Sequence, residues 1–157
     1  MKLRLLYIGK TSFDFIDQGV KLFQKRIEHF TDFETVCLTD IKNVKNMPIA
    51  ELKKKEGQAI LNCFNTNDFI CLLDENGLTY SSVSFGEFLE KKIEMGLKNL
   101  TFVIGGAYGF SEEVYKRANM KLSLSKMTFS HQIIRLIFME QLYRAYTIVK
   151  GIPYHNN

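Results

Sequence analysis

The chain has 157 residues, two prolines, and 46% hydrophobic against 24% charged residues, which excludes a disordered or collagen-like protein and points to one globular domain over residues 1–157. No apolar run approaches the roughly 20 residues that span a bilayer, and Met1–Leu6 alternates charged and apolar residues instead of forming a signal peptide, so a cytoplasmic location is expected. The net charge of +4 is uneven: residues 1–90 carry 11 Lys and Arg against 13 Asp and Glu, whereas residues 91–157 carry 10 against 4, so a polyanion would be met by the C-terminal part.

Lys2–Ile8 reads as a short strand closed by Gly9. Thr11, three residues before Asp14, resembles a capping box, and the helix that follows is expected to bury Phe15, Val20, Phe23 and Ile27. Phe33–Leu38 alternates as a half-buried strand does. Residues 39–48 form a loop, with Pro48 suited to the first turn of a helix over Ile49–Cys63. That helix carries Leu52, Ala59, Ile60 and Cys63 on one face and leaves Lys53–Lys55 to solvent. Asp68–Leu73 is nearly all apolar, as a central parallel strand buried on both faces would be.

Asp74–Gly77 is expected to turn the chain. Ser84 and Glu87 then make a capping box for a helix running to Met95, with Gly96 as its stop. Leu100–Ile104 is a second buried strand, broken by Gly105 and Gly106. Ser111 caps a helix whose first turn holds Glu112 and Glu113. Lys121–Leu124 is a short strand and 125–128 a loop. Ser130 caps a long last helix, which ends at Gly151 with Pro153 beyond. Five strands alternating with five helices give an α/β fold with a mainly parallel sheet flanked by helices.

Cys37, Cys63 and Cys71 form no CxxC pair, and His29, His131 and His155 are scattered, so neither a disulfide framework nor a metal site is expected. Cys37 and Cys71 read as small core hydrophobes. Gly9-Lys10-Thr11 opens a helix after a strand, but Arg4 stands where a phosphate loop needs its first glycine.

Gly105-Gly106-Ala107-Tyr108-Gly109 lies at a strand's carboxyl end, where open α/β sheets bind ligands. Its spacing is not that of a dinucleotide binder, and a tight turn without a ligand accounts for it equally well. The 124–129 loop (LSKMTF) suits a grip on a planar ring, or an ordinary connection. His131 and Arg135, four residues apart at a helix start, are placed to meet a phosphate or carboxylate, with a capping or packing role for His131 as the alternative. Arg144, nine residues past Arg135, falls on a different face. The tail Gly151–Asn157 carries Tyr154 and His155, a stacking aromatic beside a titratable ring, as an RNA-contacting arm would.

Taken together, KLRLLYIGK, KEGQAIL, LLDENG, FVIGGAYGF, LSLSKMTFSHQIIR and EQLYRAYTIVKGIPYH run in order over nearly the whole chain. They resemble the RlmH family of SPOUT-class methyltransferases. The resemblance implies methylation of N3 of a pseudouridine in helix 69 of 23S ribosomal RNA, and a 157-residue chain with no appended RNA-binding domain is expected to need the assembled ribosome to define its target. It also implies S-adenosylmethionine as methyl donor, a C-terminal trefoil knot over about residues 100–157, and a homodimer whose two chains shape each active site. Carried over by position, cofactor contacts fall on Leu73, Gly105, Leu124, Ser125, Lys126, Met127, Thr128 and Phe129. Ser130 stands where many members have proline. Tyr154, His155 and Arg144 are the expected catalytic group, and His131, Arg135, Tyr154 and His155 the expected RNA contacts. The competing readings are a ribosome-binding module without catalysis and an α/β enzyme acting on a small nucleotide.

Overall fold

The computed structural model describes residues 1–155; Asn156 and Asn157 of the tail lie outside the described residues. Five strands, β1 (Lys2–Ile8), β2 (Phe33–Leu38), β3 (Phe69–Thr79), β4 (Asn99–Ile104) and β5 (Met120–Ser123), form one sheet in the order β2-β1-β4-β3-β5. Every neighbouring pair is parallel. The connecting helices are α1 (Asp14–Glu28), α2 (Ile49–Leu61), α3 (Ser82–Glu94), α4 (Glu112–Arg117) and α5 (Ile133–Val149).

The two-residue period of the strands divides the core. Leu3, Leu5 and Tyr7 of β1 and Leu100, Phe102 and Ile104 of β4 face α1, α3 and α5, whose buried residues include Ile16, Val20, Leu89, Phe138 and Leu142. Leu6, Ile8 and Val103 face the other way, toward Ile60 of α2 and Val114 of α4. Coverage on both sides is what permits the continuous apolar runs of β3 and β4. Among the described residues no helix is long and apolar enough to cross a membrane.

Several expectations are corrected. Phe15 is 63% exposed and Ile16 takes its place in the core; five residues before Val20, Phe15 lies about 140° round the helix from it. Thr11 does not cap α1, which starts after Phe13 without a side-chain cap, because the Thr11 hydroxyl accepts from Arg135 instead. α3 begins after Ser81, whose hydroxyl accepts from the Ser84 N–H, so Ser84 and Glu87 lie inside the helix. α5 begins only at Ile133, although the Ser130 Oγ does accept from the Ile133 N–H at 3.3 Å. Cys71 is buried, but Cys37 is exposed, since β2 is an edge strand.

The largest departure concerns residues 74–77. They do not turn the chain; Leu73 and Leu78 both register with Leu122 of β5, and the four residues between them bulge out of β3. Glycine is required at the return: a Cβ on Gly77 would sit 2.6 Å from the backbone of Lys121 and Leu122.

Candidate functional site

A cavity of about 660 Å³ opens at the bulge of β3 and the carboxyl ends of β4 and β5, within the range of small-ligand sites. Three segments build it. Leu73 and the bulge give Asp74, Glu75 and Asn76; Ile104 and the turn after β4 give Gly105–Phe110; and the chain leaving β5 gives Ser123, Leu124, Ser125 and Met127–His131. The turn is closed by the Gly109 N–H donating to Gly106 O at 3.2 Å, with Gly109 at φ +77°.

Local polar contacts hold these segments together. The Ser123 hydroxyl donates to Ser125 O at 2.8 Å, and the Met127 N–H donates to the Ser125 Oγ at 2.9 Å, which folds the 124–129 loop back on itself. The Thr128 hydroxyl donates to Glu75 at 3.1 Å, tying that loop to the bulge. The Tyr115 hydroxyl donates to Asp74 at 2.5 Å. Burial and this carboxylate push the Tyr115 phenol up to about 12, so it stays a donor.

The lining is apolar at Leu73, Ile104, Leu122, Leu124, Met127 and Phe129, and its charged members are the carboxylates Asp74 and Glu75. No Lys or Arg belongs to it among the described residues. Such a cavity suits a ligand with an apolar ring and a cationic part, and it repels a polyphosphate. A methyl donor with an aromatic ring and a net positive charge fits that chemistry. Of the eight residues expected to hold a methyl donor, Leu73, Gly105, Leu124, Ser125, Met127, Thr128 and Phe129 surround this one cavity; Lys126 is not among its lining residues.

The other expected site residues divide. His131 is exposed at the cavity's edge, next to Ile134. Arg135 is 1% exposed and is corrected from an RNA contact to a structural cation. Its guanidinium donates to Ile8 O (2.7 Å), Gly9 O (2.9 Å), Thr11 Oγ1 (3.0 Å) and His131 O (3.0 Å), and lies over the Tyr7 ring at 4.3 Å. Gln132 adds to this seam, accepting from the Ser12 N–H and donating to Lys10 O. The start of α5 is thus fastened to the loop that follows β1.

Tyr154, His155 and Arg144 form a separate cluster on the far half of α5. Arg144 pairs with Glu140 at 2.6 Å, lies 4.8 Å from the centre of the Tyr154 ring, and approaches His155 Nδ1 at 3.4 Å. The Tyr154 hydroxyl donates to the same Glu140 oxygen at 3.1 Å. Burial, followed by the Glu140 charge, raises the Tyr154 phenol above its usual range. Ten residues separate Arg144 from Ile134, about 15 Å along the helix axis. Within one chain the cluster and the cavity are apart.

Sequence reasoning missed Asp74, Glu75 and Tyr115. The DENG run reads as turn chemistry, and its usable signals are its place at the carboxyl end of a central strand and its share in the LLDENG motif. Tyr115 carries no signal, because its role depends on the packing of α4 against the bulge.

Residues 1–155 match the family described as "Predicted SPOUT methyltransferase". The chain is similar to proteins named "Ribosomal RNA large subunit methyltransferase H" over 156 residues, 99% of each chain: 52% identical in Christiangramia forsetii, 50% in Parabacteroides distasonis and 49% in Flavobacterium johnsoniae.

Proposed function

The chain belongs to the SPOUT methyltransferase family, and from that premise we propose that it methylates large-subunit ribosomal RNA, using S-adenosylmethionine as donor and N3 of a pseudouridine in helix 69 of 23S RNA as acceptor. The observation that carries the donor is the cavity: an apolar slot whose charged lining residues are Asp74 and Glu75. A nucleotide with two or three phosphates would face both carboxylates without a compensating cation, which disfavours the small-nucleotide reading. The acceptor rests on the names of the relatives and on the motifs that resemble the RlmH family.

Leu73, Gly105, Leu124, Ser125, Met127, Thr128 and Phe129 would hold the donor. When bound, it supplies a methyl group already activated by a positive sulfur. The protein's remaining task is to orient the acceptor nitrogen and receive its proton. His131, at the edge of the cavity, contacts the RNA. Tyr154 and Arg144 position the base and His155 takes the N3 proton, an assignment suited to an imidazole. Because Arg144, about which the three cluster, lies about 15 Å along α5 from Ile134 at the cavity, their use there calls for a second copy of the chain. A homodimer in which each tail reaches the partner's cavity meets that need. The expected knot of about residues 100–157 belongs to the same reading.

The test is transfer of labelled methyl to naked 23S RNA, separated 50S subunits and assembled ribosomes, with mapping of the modified nucleotide. Label at one pseudouridine N3 on the assembled ribosome is the expected result. Binding of the ribosome without transfer would leave a pure binding module, and equal activity on naked RNA would contradict the need for the assembled particle.

A further inference from the structure

The KEGQAIL stretch contributes nothing to the lining of the cavity, yet it packs directly behind it. Glu56 of α2 is 8% exposed, and it does not line the cavity. Its carboxylate instead occupies the space beside Gly106, which does: a Cβ there would lie 2.5 Å from Oε2 and 2.7 Å from Oε1. The next residue repeats the arrangement. Gly57 packs against the side chain of Ser111, which caps α4 immediately after the turn, so closely that a Cβ at Gly57 would collide with it. Two consecutive residues of α2 thus brace both ends of the 106–111 segment.

Glu56 is also costly as it stands. Oε2 is fully buried without a hydrogen-bond partner, and Glu56 forms no ion pair among the described residues. The charged group that acts on it is Asp40, another acid, in the loop just past β2; burial first, then that like charge, raises its carboxyl above the ordinary range. A buried, unpartnered carboxyl facing a bare glycine backbone destabilises the free protein. Its placement is explained if the missing partner is supplied when the cavity fills.

We propose that Glu56 is a positioning residue for the methyl donor: it seats the Gly105–Gly109 turn, and its free oxygen bonds to the turn's backbone amides as the turn closes on the ligand. The inference rests on the methyl-donor reading of the cavity. Glu56 acts through Gly106, without touching the donor. As a bond made only in the loaded state, it tightens donor binding and leaves the ligand-free fold no more stable.

Calorimetric titration of the full-length protein with S-adenosylmethionine tests this, alongside thermal unfolding without ligand. E56A is expected to bind the donor about tenfold more weakly, the loss of one buried hydrogen bond, while melting at or above the wild-type temperature. E56Q, which keeps a carbonyl oxygen at the same place, should recover most of the affinity. G106A pushes the carboxyl away, so the G106A/E56A double variant should bind no worse than the weaker single variant, a non-additive result. Wild-type affinity in E56A, or losses that multiply in the double variant, would overturn the brace alone. A lower melting temperature in E56A with unchanged affinity would make Glu56 merely structural. No binding by the wild type would overturn the methyl-donor reading and the brace with it.

Discussion

Replacing Arg135 by methionine separates a structural cation from an RNA ligand. The side chain is 1% exposed and its guanidinium bonds to Ile8 O and Gly9 O wholly inside the protein. Methionine fills the stem's volume but takes the guanidinium from both carbonyls, leaving Gly9 O only the weak Cys37 thiol donor at 3.3 Å, at about 2 kcal/mol each. Against that, the wild-type charge is buried without a carboxylate partner, and burial pushes the guanidinium pKa down; removing it returns about 1 kcal/mol. The net loss is about 3 kcal/mol, or roughly 10 °C in Tm for a chain of this length. R135K keeps the charge without the planar fork and should recover only part of the loss. Urea unfolding followed by circular dichroism measures the effect. R135M within about 1 kcal/mol of wild type would refute the reasoning, as would a ribosome-affinity salt dependence flattened by about one charge in a fully folded variant.

Other consequences follow from the same structure. D74N should weaken S-adenosylmethionine binding about tenfold by calorimetry without weakening adenosine triphosphate; equal affinity for the donor would show that the acidic lip does not read its charge. G77A places a methyl against the Lys121 and Leu122 backbone, and should cost about 2 kcal/mol together with donor binding, both visible in ligand-dependent thermal shifts. Deleting residues 154–157 should abolish methyl transfer and spare donor binding, and near-normal turnover would remove the tail from the mechanism. For E56Q the sign is set by a carboxyl raised above its ordinary 4.5. Above that pH the unfolded chain ionises while the folded one holds its proton, so wild type loses stability as pH rises through this window. The stability gained by E56Q should therefore be small at pH 4 and larger at pH 7 in urea titrations.

Much of this protein was legible in the sequence. β1 and β2 follow their runs residue for residue, and the alternation of short apolar runs with helical stretches defines an α/β sheet, because local periodicity records which faces are buried. The glycine turn and the 124–129 loop stand out in the sequence as loops at strand ends, and both line the cavity. Tertiary structure alone decided what depends on residues distant in the chain. The DENG run became a bulge because Leu73 and Leu78 share one partner on β5. Arg135, a surface cation by spacing, is held inside by the Ile8 and Gly9 carbonyls, at the end of β1 and just past it, more than 120 residues away. Glu56, polar on an amphipathic helix, is buried against Gly106. Sequence patterns report how a segment meets its own neighbours; whether a charge meets water, a carbonyl or a bare glycine is set by segments that only folding brings alongside.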